Sequence, residues 1–488
     1  MKKYAIGVLM ALSVFPAFPA FSASGEEALT PAQQEAVRQA VQDYLTGKGA
    51  PEAGMPPMAQ PGTAPDSPSS GKNLQELGTL GGKRQKADSA MSGSGSLIYA
   101  RPFVSSPKAI VGGYTDIEYY NRKNSGSPST FDQHRFVPFI YADVSENVKM
   151  AAELEIEHGI RETGTNTEVS LEFASIDYLI TEPFNLRAGI LLMPIGKFNL
   201  LHDAPLRDLT ERPLINQIII PTTMSETGAG FYGTLYPTSL SKLDYEFYVT
   251  TGSNGYEGDD GCVSGSDYST CTSVITEKNG LKDARQRKSG VDDGFDNNNG
   301  KSIVGRVAYS PILGVEIGGS GYYGSYDPRS KRSLSIMALD WTFQRGPFEL
   351  IGEAAWSYVK DNSKSLTGGP AIDPSTGRPY PQRMNGYYIQ GNYHFLPEWL
   401  TRLAPRHFRP EVSTFTAVVR WEETNTNQDH NGGLGNLQRL TLGLNFRPTE
   451  DTVLKFDYQY SPEAVISKNG QTVRGEDNAF VASVATYF

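Results

Sequence analysis

The stretch DTVLKFDYQYS, residues 451–461, decides how this chain is to be read. Thr452, Leu454, Phe456, Tyr458 and Tyr460 fall on one face of an extended chain, and Asp451, Val453, Lys455, Asp457 and Gln459 on the other. A period of two with one apolar and one polar face is the signature of a strand with one dry and one wet side. The same pattern recurs upstream. In 437–447, Leu440, Leu442, Leu444 and Phe446 oppose Arg439, Thr441, Asn445 and Arg447. In 148–158, Val148, Met150, Ala152, Leu154 and Ile156 oppose Lys149, Glu153, Glu155 and Glu157, and in 243–249 Leu243, Tyr245, Phe247 and Val249 oppose Asp244 and Glu246.

Working outward, sixteen such segments are predicted, at 108–121, 132–144, 148–161, 167–180, 186–194, 227–237, 242–252, 301–311, 313–326, 333–344, 347–361, 383–395, 410–422, 436–447, 451–461 and 477–488. The alternation slips in 132–144 and 167–180, where a bulge is expected. The connection 396–409 is too long for its place as a short turn. Otherwise short turns such as 145–147 and 447–450 alternate with long loops such as 253–300 and 362–382. An even strand count with that rhythm predicts an all-β fold, a closed transmembrane antiparallel barrel with short periplasmic turns and long outer loops. A soluble β-sandwich would not need an apolar outward face in every hairpin.

Composition agrees. The 488 residues include 50 Gly, 26 Tyr and 22 Phe, with 38% hydrophobic and 20% charged residues, too apolar for a wholly disordered chain. Beyond the first two dozen residues no run approaches the ~18 apolar residues that a membrane-spanning helix needs.

The N-terminus reads as an export signal, residues 1–23. Lys2 and Lys3 precede the apolar stretch Ile6–Phe15, and Ala20, Ser22, Ala23 and Ser24 supply small residues for cleavage. The 44 Lys and Arg, less Lys2 and Lys3, then face 54 Asp and Glu, which argues against a nucleic-acid partner. Thr30-Pro31-Ala32-Gln33 has the layout of a helix start, so residues 24–48 are expected to hold a periplasmic helix that either packs on copies of itself or frays. Residues 49–107 are Pro-, Gly- and Ser-rich and are expected to form a poorly ordered linker ahead of the barrel at 108–488. Cys262 and Cys271, the two cysteines, share one Gly-rich loop, and in an oxidising compartment they are expected to pair.

The loop 195–226 joins two predicted strands and is rich in aliphatic residues, among them Leu200, Leu206, Leu209, Leu214, Ile215 and Ile218–Ile220. A loop of that composition must bury something, and the lumen is the nearest wall. It is therefore predicted to fold inward and narrow the pore, placing Lys197, His202, Asp203, Arg207, Asp208, Glu211 and Arg212 at the constriction. Fixed charges at a narrow point select ions; the same charges are equally suited to salt bridges that pin the loop to the wall.

The final strand has Phe480, Ala482, Val484, Thr486 and Phe488 on one face, and this resembles the C-terminal insertion signal of bacterial outer-membrane barrels, read by the barrel-assembly machinery. Thr486 departs from the large residue often found at that position. FASIDYLITEPFNLRAGILLMPIGKFN (173–199), LRDLTERPLI (206–215) and GAGFYG (228–233) resemble the phosphate-selective porin family, sixteen-stranded trimeric channels of Gram-negative outer membranes. The matching features are the Gly196-Lys197-Phe198-Asn199 turn, the long third loop, the terminal Phe and an N-terminal extension similar in kind to residues 30–46. The resemblance implies a passive pore, a homotrimer and a site in the outer-membrane bilayer.

It does not settle the solute. Anion selection in that family is attributed to lumenal Arg and Lys. The wet faces here carry Asp116, Glu118, Glu153, Glu155, Glu157, Asp244, Glu246, Glu316, Glu349, Glu353, Asp451 and Asp457 against Lys149, Arg187, Arg306, Arg439, Arg447 and Lys455. An acidic wall favours cations or neutral solutes, unless the charges cancel across neighbouring strands. The expected activity is passive, non-enzymatic diffusion of small hydrophilic solutes or ions without a cofactor, with a phosphate or anion-selective pore as the alternative.

An outer-membrane hydrolase would need a nucleophile or base beside an oriented partner. The histidines are His134, His158, His202, His394, His407 and His430; only His202-Asp203 places one beside a carboxylate in sequence, a weak signal, and neither GxSxG nor HExxH occurs. The run 292–300 is rich in Asp and Asn but lacks the spacing of a calcium loop. A plugged receptor of about 22 strands would need a plug domain that residues 24–107 cannot supply. A structural envelope barrel remains as a further alternative. Trp341, Trp356, Trp399 and Trp421 are expected near the two membrane interfaces.

Overall fold

A computed structural model describes residues 109–488 except 125–127, 159–167, 259–261, 286–295, 431–433 and 469–470. The expected signal, helix and linker, together with Asp292–Phe295 of the Asp/Asn run, lie outside the described residues.

The sixteen barrel strands are β1 Ala109–Arg122, β2 Thr130–Asp143, β3 Val148–Glu157, β4 Glu168–Thr181, β5 Phe184–Leu192, β6 Ser225–Leu235, β7 Lys242–Thr250, β8 Ser302–Ile312, β9 Val315–Ser325, β10 Ser333–Arg345, β11 Phe348–Val359, β12 Arg383–Phe395, β13 Thr414–Asn425, β14 Asn436–Thr449, β15 Thr452–Lys468 and β16 Gln471–Tyr487. Each pairs antiparallel with its neighbours, and β16 returns to β1 with Thr115 opposite Thr486, closing the barrel. Closure leaves no strand edge unpaired, the condition for crossing lipid with strands. Among the described residues no helix is long and apolar enough to cross a membrane.

The alternation sorts the side chains as the sequence requires, inside out relative to a soluble protein. Val249, Ile303, Leu442, Phe456 and Tyr458 are exposed on the outer face, while Arg306 and Lys455 are among the largest fully buried side chains. At the end of the barrel that holds β16's terminus, Phe395, Phe408, Phe415 and Phe446 form a connected aromatic band, with ring centroids 4.5 to 6.3 Å apart. Phe348, Tyr393 and Phe395 extend it. Such girdles mark the interfacial height of a membrane barrel. Of the four tryptophans, Trp356 and Trp399 are exposed.

Two departures from the sequence reading have local causes. The connection between β12 and β13 contains a short helix, Glu398–Leu403, which accounts for its length. The last hairpin is longer than expected, because pairing continues past an irregularity at Ser461/Ala464 to Lys468 opposite Gln471. The slips in alternation are bulges. Between β1 and β2 the register shifts at Asp116/Glu118, and between β3 and β4 it shifts at Glu153/Leu154, with Glu172 as the extra residue.

Two small sheets stand in the loops, Tyr256–Glu257 with Thr272–Ser273 and Ile372–Asp373 with Arg378–Pro379. Cys262 and Cys271 are disulfide-bonded, with Cα atoms 5.8 Å apart.

Candidate functional site

The segment between β5 and β6 enters the lumen and crosses it. Gly196 makes the entry turn at φ +68°, against Glu353, where an added Cβ would lie 2.8 Å from Oε1; glycine meets both demands. Glu353 receives the Phe198 N–H on Oε1 at 2.6 Å and Asn216 Nδ2 on Oε2 at 2.9 Å, so one carboxylate ties the loop's entry to its helical turn at Ile215–Ile218. The aliphatic residues are covered. Ile215, Ile219 and Ile220 are fully buried in one apolar cluster with Ile275, Leu281 and Tyr326 of the long loops and with Ile336 and Met384 of the wall. Each contributes about 1.5–3 kcal/mol at most.

The polar residues of the loop reach the wall on several sides. Lys197 pairs with Glu316 at 3.1 Å. His202 Nε2 lies 3.1 Å from Glu172 Oε2, Asp203 accepts from Tyr487 at 2.8 Å, and Arg207 Nη2 lies 3.5 Å from Asp116. Asp208 faces Asn392 at 2.8 Å and Arg447 at 3.5 Å. Glu211 pairs with Arg122 and with Arg439, the latter at 2.7 Å. Burial raises the Glu211 carboxyl, but the two guanidiniums beside it hold it down at about 2. Arg212 donates Nη1 to the Thr222 carbonyl at 2.5 Å, while its Nε and Nη2 have no hydrogen-bond partner among the described residues. Burial and the neighbouring Arg135 lower the Arg212 guanidinium to about 10. Backbone groups are used too. Lys455 Nζ donates to the Ala204 carbonyl at 2.8 Å and Arg447 to that of Pro205 at 2.6 Å.

Most of these loop charges are tied to wall residues by ion pairs. Charged residues of the strands are paired in the same way. Glu155 and Glu157 both pair with Arg135 at 2.6 Å, Lys242 with Asp244 at 2.8 Å, and Glu246 accepts from Tyr248 at 2.8 Å. Glu349 accepts from Asn392 at 2.7 Å, Glu153 is fully buried, and Asp457 accepts the Thr210 N–H at 2.6 Å. Arg306 reaches across β9 to Asp340, Nη2 to Oδ1 at 2.5 Å. It passes over Gly318, whose missing side chain leaves the space: a Cβ there would overlap both partners. Asp451, counted in the acidic tally, instead sits exposed in the β14–β15 turn.

Several residues of this network escaped the strand-face reading. Arg135 and Glu172 sit at the two bulges, where a strict alternation assigns the wrong face; an acid or base at a slip in the pattern is the signal that finds them. Asp177, which binds Arg187 through two bonds of 2.8 and 2.7 Å, lies in the segment where the alternation slipped. Arg420 and Glu422 form a 2.7 Å pair beside Arg439.

Two cavities lie on either side of the loop. One, of about 700 Å3, opens toward the end with β16's terminus and is lined by Phe139, Tyr141, Phe198, Leu209, Pro213 and Tyr487 among others. The other, of about 210 Å3, lies toward the opposite end, lined by Arg122, Glu211, Leu214, Arg439 and Gln459. Residues Leu209–Leu214 therefore stand between them.

A closed sixteen-strand barrel with an apolar outer face, an aromatic band and a charged, loop-crossed lumen defines a membrane-spanning barrel of porin architecture. No family model matches the chain. An uncharacterized protein of Aquifex aeolicus (strain VF5) is 28% identical over 362 residues, covering 71% of this chain and 74% of its own. Among solved structures, an anion-selective porin from Comamonas acidovorans is similar with TM-score 0.46 at 11% identity, over 78% of this chain and 99% of that one. The outer membrane channel DcaP of Acinetobacter baumannii is similar with TM-score 0.44 at 10% identity, over 78% of this chain and 97% of that one.

Proposed function

We propose that this protein is an outer-membrane porin through which small hydrophilic solutes or ions diffuse passively, with both ends of the barrel chain on the periplasmic side. The observation that carries this reading is the pair of cavities separated by Leu209–Leu214 inside a closed, charged lumen. Solute passes between them at the loop, and Glu211, Arg212 and Arg439 are the charges it meets there. Buried carboxylates outnumber buried cations on the described strands, and Glu226 and Glu353 accept hydrogen bonds from hydroxyl, amide and backbone donors. A wall of that balance favours cations and neutral solutes over anions. The export signal, the homotrimer and the recognition of the last strand by the barrel-assembly machinery belong to this proposal through the sequence features that suggested them.

The test is a planar-bilayer recording of the purified protein, with the reversal potential measured across a salt gradient. Conductance in steps of three with cation preference supports the proposal. Anion preference replaces it with the phosphate-type pore, and an absence of conductance replaces it with a hydrolase or a structural barrel.

A further inference from the structure

Near the loop end of β1–β3, three side chains that make no bond to the pore loop converge on one point. Asp132 and His134 are two residues apart on β2. The His158 N–H donates to the His134 carbonyl at 3.2 Å, which makes the two histidines cross-strand neighbours. His158 adopts φ +60°, a left-handed conformation that is strained for a non-glycine residue and that concentrates at functional positions. His134 lies beside the β1–β2 bulge, which lets it share the inner side with Arg135. Both imidazoles direct Nδ1 at the same carboxylate oxygen: Asp132 Oδ2 is 2.7 Å from His158 Nδ1 and 3.4 Å from His134 Nδ1. The rings meet edge to face with centroids 5.4 Å apart.

We propose that Asp132, His134 and His158 form a binding site for a first-row divalent transition-metal ion, of the zinc type. Two imidazoles and one carboxylate are a donor set that suits such ions and leaves an open position. Donors around a tetrahedral ion bound at about 2.0–2.1 Å lie roughly 3.3 Å apart, and the three donor atoms here already lie within 4.8 Å of one another. Each imidazole offers its Nδ1 lone pair once its proton resides on Nε2. A fourth oxygen stands close: Glu118, paired in register with Asp132, has Oε2 3.6 Å from His134 Nδ1 and accepts from the Tyr120 hydroxyl. The surrounding charge suits a cation, because the nearest guanidinium, Arg135, is engaged by Glu155 and Glu157. Asp132 and His134 are each 18% exposed and His158 40%, so an ion has access from the mouth of the barrel.

The proposal is independent of the channel reading, since binding is measured directly. Full-length protein in detergent, stripped with chelator, is titrated with Zn2+ by calorimetry, alongside His134→Ala/His158→Ala and Asp132→Asn. Folding of each variant is verified by heat-modifiable migration on gels. The expected result is one Zn2+ per chain in the unaltered protein. In the double variant affinity falls by more than about 100-fold, beyond the loss from removing an outer supporting partner; Asp132→Asn, if the double variant misfolds, shows a loss in the same direction. Undiminished binding in a folded variant, or no saturable Zn2+ binding in the unaltered protein, overturns the site.

Discussion

The Thr210 backbone N–H donates to Asp457 Oδ2 at 2.6 Å, joining the tip of the inward loop to a strand 247 residues further along the chain. Thr210 Oγ1 lies 3.0 Å from Ser483 Oγ on the neighbouring strand. Replacing Asp457 with Ala removes a charged acceptor from a buried donor, a loss of about 1.5–3 kcal/mol. Single-channel recordings of Asp457→Ala are expected to show added closing noise and altered conductance with a normally folded barrel. A trace indistinguishable from the unaltered protein would mean that the remaining contacts hold the tip unaided.

Arg207 and Arg212 bring positive charge into an otherwise acid-rich lumen. Neutralising both, as Arg207→Gln/Arg212→Gln, is expected to move the reversal potential toward cations. Each change alone should shift it less. An unchanged potential removes both side chains from the conducting path.

Glu211 supplies a pH dependence with a definite sign. Its folded-state pKa of about 2 lies below the usual carboxylate value near 4.3. A depressed acid contributes stability that is fully present above its unfolded pKa and is lost as pH falls through the folded one. The stability gap between the unaltered protein and Glu211→Gln should therefore stay constant above about pH 5 and narrow progressively toward pH 2. Denaturant melts across that range measure it, and a gap that widens on acidification contradicts the assignment.

Phe488 exchanges backbone hydrogen bonds with Gly113 at 3.1 and 2.9 Å, and its ring stacks on Phe136 at a centroid distance of 5.5 Å. Phe488→Ala is expected to lower the yield of folded barrel in the outer membrane several-fold, read as the heat-modifiable fraction. Equal yield would mean that the terminal ring is not an assembly signal.

Strand number and facing were legible because the period-two pattern is local. The Leu440–Leu444 stripe and the Lys455–Gln459 stripe each declare their own side, and all sixteen segments fall where alternation places them, give or take the ends. The 195–226 loop carried a different signal: Ile215, Ile219 and Ile220 cannot rest in water, and all three are buried. What the loop binds was not legible. Thr210 meets Asp457 and Ser483, and Lys197 meets Glu316, only because closure brings distant strands opposite one another, and no local pattern encodes that. Glu172 and Arg135 were hidden by bulges, since one inserted residue turns every later side chain to the other face.

Two of the loop's anchors come late in the chain: Asp203 is held by Tyr487, 284 residues away, and Thr210 touches Ser483, 273 residues away. Residues 195–226 are synthesised well before the strand that secures them. Contacts of such separation carry a loop-closure cost, and neither of these two forms before β16 arrives. The last strand to be made therefore completes both the wall and the fastening of what lies inside it.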